Sequence, residues 1–220
     1  MLMAGVDEAG RGCVIGPLVI AGVLAREETI PALANLGVKD SKLLSRRKRE
    51  LLETEIMRLT LKIEIVTVSP VEIDHVVASG RKLHKLNRLE AERMATVIQA
   101  LNPEEAYVDA ADVLEDRFKH HIQECLKAEI RIIAKHKADT IYPLVSAASI
   151  IAKVKRDREI ADLRTHFGDF GSGYMNDPKT MLFLKQWLKS NGDYPNCVRR
   201  SWKPAKRVKD EHGTRQQALF

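Results

Sequence analysis

The chain has 220 residues, of which 45% are hydrophobic and 30% are charged, a composition that predicts a globular protein with a substantial core. It contains no signal-peptide pattern and no apolar run long enough to cross a membrane, which excludes those classes and predicts a cytoplasmic protein. Lys and Arg total 36 against 30 Asp and Glu, and the net charge of +6 is compatible with a polyanionic partner. The cysteines lie far apart and are expected to be reduced thiols: Cys13, Cys125 and Cys197.

Apolar patterns along the chain predict strands and helices in a definite order. Residues 1–8 and 14–24 predict an antiparallel hairpin, because both are apolar and their connection is short. Further strands are expected at 61–68, 106–109 and 129–134. Helices are expected at 46–59 after an N-cap at Ser45, from Pro70, at 85–101, from a cap at Asp112 to about 127, at 144–167 and at 178–189.

The order of these elements predicts the fold class. Three early strands followed by strand, helix, strand and helix indicate a mixed sheet flanked by helices, in an α/β or α+β domain. Residues 145–152 are small and apolar all round, so the start of the long helix is expected to be buried. After residue 167 the sequence becomes glycine-rich and later basic. The predicted organisation is one domain over 1–167 and a small helical region over 168–220.

A basic run lies near the end of the chain. Within 199–209 there is no acid, and the run contains Trp202 together with six cations: Arg199, Arg200, Lys203, Lys206, Arg207 and Lys209. Such a run is commonly a solvated face. Beside a metal site it is also suited to contact phosphates. Both interpretations stay open at this point.

Four acidic side chains stand at or just past the carboxyl ends of predicted strands. These are Asp7, Glu8, Asp109 and Asp139. Each could be an ordinary turn former. Strand ends on one edge of a sheet, however, bring distant segments to one crevice. Carboxylates that converge there repel unless a cation neutralises them, and oxygen ligands favour Mg²⁺ or Mn²⁺. Two such ions could support hydrolysis of a phosphodiester.

The histidines suggest no competing metal cage. His120 and His121 are expected on a solvent-facing helix, and His136 is expected in a turn.

Five sequence motifs follow one another in order over most of the chain. They are DEAGRG at 7–12, KDSKLL at 39–44, YVDAAD at 107–112, HKADTIYPLVSAASIIAKVKRDR at 136–158 and GSGY at 171–174. Taken together, they resemble the motif series of type 2 ribonuclease H (ribonuclease HII), and the ending RRSWK at 199–203 is similar to archaeal members.

The resemblance implies a ribonuclease H-like, five-stranded mixed sheet with a helical C-terminal domain. It implies metal-dependent hydrolysis of the RNA strand of RNA–DNA hybrids. It also implies cleavage on the 5′ side of a single ribonucleotide embedded in duplex DNA, leaving 3′-hydroxyl and 5′-phosphate ends. A two-metal site with Mg²⁺ or Mn²⁺ is expected, and the protein is expected to be a monomer.

The resemblance also implies roles for individual residues. The metal-binding catalytic acids would be Asp7, Glu8, Asp109 and Asp139. Gly10, Arg11 and Gly12 would press backbone and guanidinium against the ribonucleotide, which suits glycine because it permits close approach. Tyr174 would stack under the sugar at the RNA–DNA junction. The remaining predicted substrate contacts are Lys42, Ser146 and Lys153.

The last five residues, Gln216–Phe220, resemble a truncated sliding-clamp-binding box, because Gln216 and Leu219 have the spacing of such a box. A frayed tail is the other interpretation. For the whole chain, two further functions stay open from the residues. One is another ribonuclease H-like nuclease of the junction-resolvase type, and the other is a non-catalytic nucleic-acid-binding module.

Overall fold

The computed structural model describes residues 1–38, 44–79 and 85–217, with side chains as far as residue 212. Its strands are β1 (Leu2–Ala9), β2 (Leu18–Arg26), β3 (Lys62–Val68), β4 (Glu105–Asp109) and β5 (Arg131–Lys135). A 3₁₀ turn, Glu27–Thr29, precedes the first of the helices, which are α1 (Ile30–Asn35), α2 (Arg46–Leu59), α3 (Pro70–Ala78), α4 (Lys85–Leu101), α5 (Glu115–Cys125), α6 (Ala138–Ile141), α7 (Pro143–Phe167), α8 (Pro178–Asn191) and α9 (Lys203–Gln217).

The strands form one five-stranded sheet in the order β3-β2-β1-β4-β5. β1 and β2 are antiparallel, with Leu2 opposite Arg26 and Ala9 opposite Val19. β1 pairs with β4, and β4 with β5, in the parallel sense. The predicted mixed sheet flanked by helices is therefore confirmed, and the carboxyl ends of β1, β4 and β5 point the same way.

Capping residues begin several helices where the sequence predicted them. The Ser45 hydroxyl accepts the backbone N–H of Lys48 at 3.2 Å, and the Ser69 hydroxyl accepts that of Glu72 at 3.1 Å. These side chains satisfy N–H groups that the first turn of a helix leaves without a partner. The predicted starts of α2 and α3 are confirmed.

Helix α5 departs from its prediction. It begins at Glu115 after Leu114, and Asp112 instead accepts the Leu114 N–H and pairs with Arg117. His121 faces inward and is 7% exposed, contrary to the solvent-facing helix that we expected. Burial lowers the pKa of this histidine.

Close packing holds the start of α7 against β1. A Cβ on Gly5 would lie 2.2 Å from the backbone carbon of Leu144, so only glycine allows this approach. The small residues predicted to be buried are buried, including Ala147, Ala148 and Ala152. They join one hydrophobic cluster with β1 and β2 residues such as Val19.

Contacts group the chain into two compact units. The first comprises Met1–Ala9, Val19–Thr67 and His84–Lys155, and the second comprises Gly10–Leu18, Val68–Leu83 and Arg156–Phe220, as far as these residues are described. The second unit has its own hydrophobic cluster, which includes Ile15, Phe170 and Leu184. Two early segments thus belong with the C-terminal residues, while a functional division at residue 167 stays a prediction.

Within the described ranges no helix is long and apolar enough to span a membrane. Cys13 and Cys197 are buried and Cys125 is exposed, and all three are free cysteines.

Candidate active site and recognition loops

Three of the predicted acids lie at the edge of the sheet where β1, β4 and β5 end. Asp7 is in β1 and is 4% exposed. Asp109 is the last residue of β4, and Asp139 lies in α6, just after β5, and is 6% exposed. The fourth acid, Glu8, follows Asp7 in β1 and is half-buried. The structure thus places all four predicted acids at the ends of strands that run in parallel or directly after them.

The electrostatics of Asp7 reveal how close these acids are. Burial raises the pKa of Asp7 to about 7, and the negative charge of Asp109 contributes to this rise. Asp139 acts in the same direction with a smaller effect, while hydrogen bonds from Ser149 and from the Glu8 backbone lower this pKa. Desolvation and like charge both disfavour the ionised carboxylate, so the site gains stability from any cation that binds it.

Hydrogen bonds fix the positions of the acids. Asp109 Oδ1 accepts the backbone N–H of Ala138 at 2.8 Å, which ties the end of β4 to the start of α6. The Ser146 hydroxyl donates to the carbonyl oxygens of Asp139 and, at 3.1 Å, of Tyr142. Because Ser146 and Ser149 both belong to α7, the buried start of this helix positions Asp139 and Asp7.

The donors present suit a hard divalent cation. In the part of the chain that the structure describes, no three His, Cys, Asp or Glu side chains form a ready-made metal cage. Carboxylate oxygens nevertheless match the preferences of Mg²⁺ and Mn²⁺, and a bound cation would stabilise the ionised form of Asp7, whose pKa burial raises.

The Gly10-Arg11-Gly12 segment belongs to the second unit. Gly10 has a positive φ of +86°, and a Cβ there would lie 2.6 Å from the Pro17 carbonyl oxygen, so a side chain cannot replace its hydrogen. Gly12 is exposed, and a Cβ on it would meet nothing within 4 Å. The segment is therefore tightly packed on one side and open on the other.

Arg199 holds this segment from the packed side. Its side chain is fully buried, and its Nε, Nη1 and Nη2 donate to the carbonyl oxygens of Gly16, Arg11 and Gly10 at 3.1, 2.8 and 2.7 Å. Its guanidinium also lies 5.0 Å from the centre of the Trp202 ring. The sequence placed Arg199 in a basic run suited to phosphate, and its burial corrects that interpretation for this residue.

The Gly-Ser-Gly-Tyr loop at 171–174 also lies in the second unit, where its backbone meets the segment after Gly12. The Gly173 carbonyl accepts the N–H groups of Val14 and Ile15 at 2.8 and 3.1 Å. A Cβ on Gly173, whose φ is +81°, would lie 2.6 Å from the Ile15 oxygen. This bridge brings Cys13 opposite Tyr174.

Buried and polar side chains around the loop fix its shape. Arg156 is 2% exposed, donates to the Ser172 carbonyl at 2.9 Å and stacks 4.7 Å from the Tyr174 ring centre. Asp177 accepts the Ser172 N–H at 2.6 Å, and Thr180 accepts the Gly173 N–H at 3.0 Å. Sequence reasoning missed these supports. Arg156 also forms an ion pair with Asp157 at 3.6 Å.

The remaining predicted site residues lie partly in α7 and partly outside the residues that the structure describes. Lys153 is half-buried in α7, and Lys42 falls outside the described residues. Ser146 is 2% exposed and is engaged with Asp139, and its predicted contact to nucleic acid stays a prediction. Leu219 and Phe220 of the predicted clamp-binding box also fall outside the described part.

A cavity of about 710 Å³ lies beside Gly12 in the second unit. Its apolar lining comes from Trp202 and Pro204 together with the side chains of two methionines, and Lys203 and Arg207 contribute positive charge. Aromatic and cationic side chains in combination suit the bases and phosphates of nucleic acid.

Comparison with known proteins places the chain in a family. The model of the family "Ribonuclease HII" matches residues 4–205. A ribonuclease HII from Pyrococcus abyssi is 46% identical over all of this chain and 96% of its own length. The crystal structure of the ribonuclease H2 from Pyrococcus horikoshii is 46% identical with a TM-score of 0.88, covering 96% of this chain and 98% of that one.

Two further similar structures were solved as complexes, one with a protein and one with a metal ion. The ribonuclease HII of Archaeoglobus fulgidus, solved in complex with PCNA, is 48% identical with a TM-score of 0.83, covering 92% of this chain and 96% of that one. A Bst ribonuclease HIII solved in complex with Mn²⁺ is 21% identical with a TM-score of 0.78 over 96% of this chain and 70% of that one, which indicates a shared fold. From the family model and these full-length relatives, the chain belongs to the ribonuclease HII family of hydrolases, endoribonucleases that act on the RNA strand of RNA–DNA hybrids.

Proposed function

We propose that this endoribonuclease also cuts duplex DNA on the 5′ side of a single embedded ribonucleotide, leaving 3′-hydroxyl and 5′-phosphate ends, with divalent cations held by its four strand-end acids. The observation that carries the proposal is the buried carboxylate of Asp7, whose pKa is raised to about 7 by burial and by the nearby Asp109 and Asp139. A carboxyl in that environment is neutralised by a proton or by a cation, and a divalent cation would stabilise its ionised form.

Asp7, Glu8, Asp109 and Asp139 would hold Mg²⁺ or Mn²⁺. When held there, two such ions would provide an activated water and stabilise charge on the leaving oxygen during phosphodiester hydrolysis. The Mn²⁺ in the distant ribonuclease HIII structure supports the class of cation. The chain's own part is to fix the acids: Ser149 orients Asp7, and the Ala138 backbone orients Asp109.

Selectivity for a ribonucleotide would come from the Gly10-Arg11-Gly12 segment. Its open side at Gly12 allows a sugar to approach the backbone closely, and backbone N–H groups can donate to a 2′-hydroxyl. The Tyr174 ring would stack under the sugar that follows the ribonucleotide. The Arg156 guanidinium, which lies over this ring, already holds it in place. Lys42, Ser146 and Lys153 are retained as proposed backbone contacts.

Residues 168–220 would form the substrate-binding region. The exposed cations of the basic run, among them Lys203 and Lys206, are proposed to lie near phosphates, whereas Arg199 does not belong to this set because it is buried. Arg200 is also partly engaged, since it pairs with Asp193 at 3.0 Å.

The test is cleavage of a duplex DNA that carries one ribonucleotide, in Mg²⁺ or Mn²⁺, with the Asp109→Asn variant alongside. We expect one cut on the 5′ side of the ribonucleotide, no cut in the all-DNA duplex, and no cut by the variant. Equal cutting of the all-DNA duplex would instead favour a junction-resolvase type of specificity. Tight binding without any cut would favour a binding module for this substrate.

A second proposal concerns the last five residues. We infer that Gln216–Phe220 binds a sliding clamp, because the related Archaeoglobus fulgidus protein was solved in complex with PCNA and this chain ends in QQALF. Calorimetric titration of an archaeal clamp with the full chain should give a binding isotherm that disappears in a Leu219→Ala, Phe220→Ala double variant. Unchanged binding by the double variant would refute the assignment.

A further inference from the structure

We propose that Arg199 is the positioning residue for ribonucleotide selection. It aims two consecutive backbone N–H groups, those of Arg11 and Gly12, at the 2′-hydroxyl of the substrate. This inference rests on the proposed role of the Gly10-Arg11-Gly12 segment and adds the residue that makes that segment a rigid recognition element.

The geometry of the peptide bond links Arg199 to the open face. In a trans peptide the C=O of one residue and the N–H of the next lie in one plane and point in opposite directions. The described part of the chain has no cis peptide bond. When Arg199 holds the carbonyl oxygens of Gly10 and Arg11, it therefore also fixes the N–H groups of Arg11 and Gly12, which point away from it.

The charge of the guanidinium adds to this geometric effect. A buried cation bound to two carbonyl oxygens polarises both peptide units, so that their N–H groups become stronger donors. Arg199 has no exposed surface, and its three donor nitrogens are each directed at a backbone oxygen of this stretch. A residue placed in this way contributes its charge to the backbone without contacting the substrate.

Arginine is required here because of its shape. Its planar fork presents donors in fixed directions, and three of its nitrogens reach Gly10, Arg11 and Gly16 simultaneously. A lysine ammonium in the same space is a compact point charge on a flexible stem and cannot hold all three oxygens in the same arrangement. The Cys13 thiol, 2.9 Å from the Gly10 oxygen, is a weak donor and would not replace the arginine's bonds.

A positioning role for Arg199 predicts a change in how strongly the protein prefers a duplex with a ribonucleotide, beyond any change in protein stability. We define the ribonucleotide preference as the Kd for an all-DNA duplex divided by the Kd for the same duplex with one ribonucleotide. It is measured in EDTA, so that neither metal nor cleavage contributes. Two oriented N–H donors on one hydroxyl predict a preference of roughly tenfold for the unmodified protein. In Arg199→Lys the preference should fall close to one, while binding of the all-DNA duplex changes little.

Two variants separate a positioning role of Arg199 from a general loss of stability. Arg199→Met removes the positive charge and tests the proposal if this variant folds. Arg199→Lys keeps the charge, so that the test can still be made if Arg199→Met does not fold. The matched control is Arg117→Met, which removes the partner of the buried Asp112 and lowers the melting temperature at a site in the other unit. This control should keep the full preference.

The outcomes are distinguishable. Loss of preference in folded Arg199→Lys, with preference kept in Arg117→Met, supports the proposal. Full preference in folded Arg199→Lys would overturn it, as would an equal loss in the control. If the unmodified protein itself shows no preference, the proposed role of the glycine segment fails first, and this inference fails with it.

Discussion

Two regions of the molecule are built in opposite ways: the acid cluster around Asp7 in the first unit, and two loops of the second unit. These loops are Gly10-Arg11-Gly12 and the Gly-Ser-Gly-Tyr loop at 171–174. Around Asp7, burial and like charges raise the pKa of its carboxyl to about 7, so this cluster favours the binding of cations. Around Gly10 and Ser172, buried arginines donate to backbone carbonyl oxygens, so the loops are already held by the chain. The acids therefore favour an added cation, whereas the chain's own arginines already hold the two loops in place.

The largest effect is expected from a substitution in the acid cluster. Asp7→Asn removes a carboxylate from the cluster and should lower kcat on a single-ribonucleotide duplex by about a thousandfold, since bound cations contribute several kcal/mol to such a transition state. Single-turnover cleavage in Mg²⁺ measures this loss. The exposed Asp116→Asn is the control and should cut normally. Normal cutting by Asp7→Asn would remove the acid from the site.

The same substitution should have the opposite effect on stability. The pKa of Asp7 rises from its ordinary value of 3.8 to about 7 in the folded protein, mainly because of burial. The folded state therefore holds a proton that the unfolded state releases, and stability is lost as pH rises from about 4 to 7. In EDTA at pH 8, Asp7→Asn should melt several degrees above the unmodified protein, with little difference at pH 4. A difference that does not change with pH would contradict this prediction.

A smaller effect is expected when the brace of the second loop is removed. Arg156→Met loses the bond to Ser172 and the stack on Tyr174, so the ring is free to leave its place. We expect a loss of about tenfold in kcat/KM on the single-ribonucleotide duplex. The neighbouring exposed residue supplies the control, Arg158→Met, which should change kcat/KM little. Equal values for the two variants would show that the loop does not depend on Arg156.

Tyr174 itself separates the two kinds of substrate. Tyr174→Ala removes the ring and should reduce cleavage of the single-ribonucleotide duplex several-fold more than cleavage of a long RNA–DNA hybrid, because only the first presents a deoxy sugar beside each cut. Tyr174→Phe keeps the ring and should resemble the unmodified protein. Equal losses on both substrates would remove junction sensing from this residue.

The smallest effect concerns the basic run. Replacing Lys203 and Lys206 by glutamine should make affinity for the duplex less sensitive to salt, with the slope of log K against log salt flattened by about one for each phosphate that is no longer bound. A matched pair of exposed lysines in α8, Lys185 and Lys189, serves as the control and should leave the slope unchanged. An unchanged slope for both pairs would mean that the run faces away from nucleic acid.

The sequence predicted the placement of the acids at strand ends because the signal for this placement is local. Asp109 ends an apolar strand, and parallel pairing of that strand with β1 follows from common rules of topology. The serine caps of α2 and α3 have equally local causes, in side chains that reach a backbone N–H three residues later. The family motifs then indicated a chemical role for these acids.

The supports of the recognition loops could not be predicted in this way. Arg199 donates to oxygens 183 to 189 residues earlier in the chain, and its place in a basic run suggested solvent. The inward face of His121 was missed for the same reason, since a polar residue in a polar stretch carries no sign of burial. Only the fold reveals which charges find partners far away in sequence.

The long sequence separation of Arg199 from its partners also affects how the protein is made. A ribosome adds about 5–20 residues per second, so the Gly10 carbonyl is synthesised roughly ten seconds or more before the guanidinium that will hold it. During that interval the four strand-end acids are synthesised, while the Gly10-Arg11-Gly12 backbone still lacks the side chain that holds it. A nascent chain, or one truncated before residue 199, thus contains all four acids but not the arginine that fixes this segment.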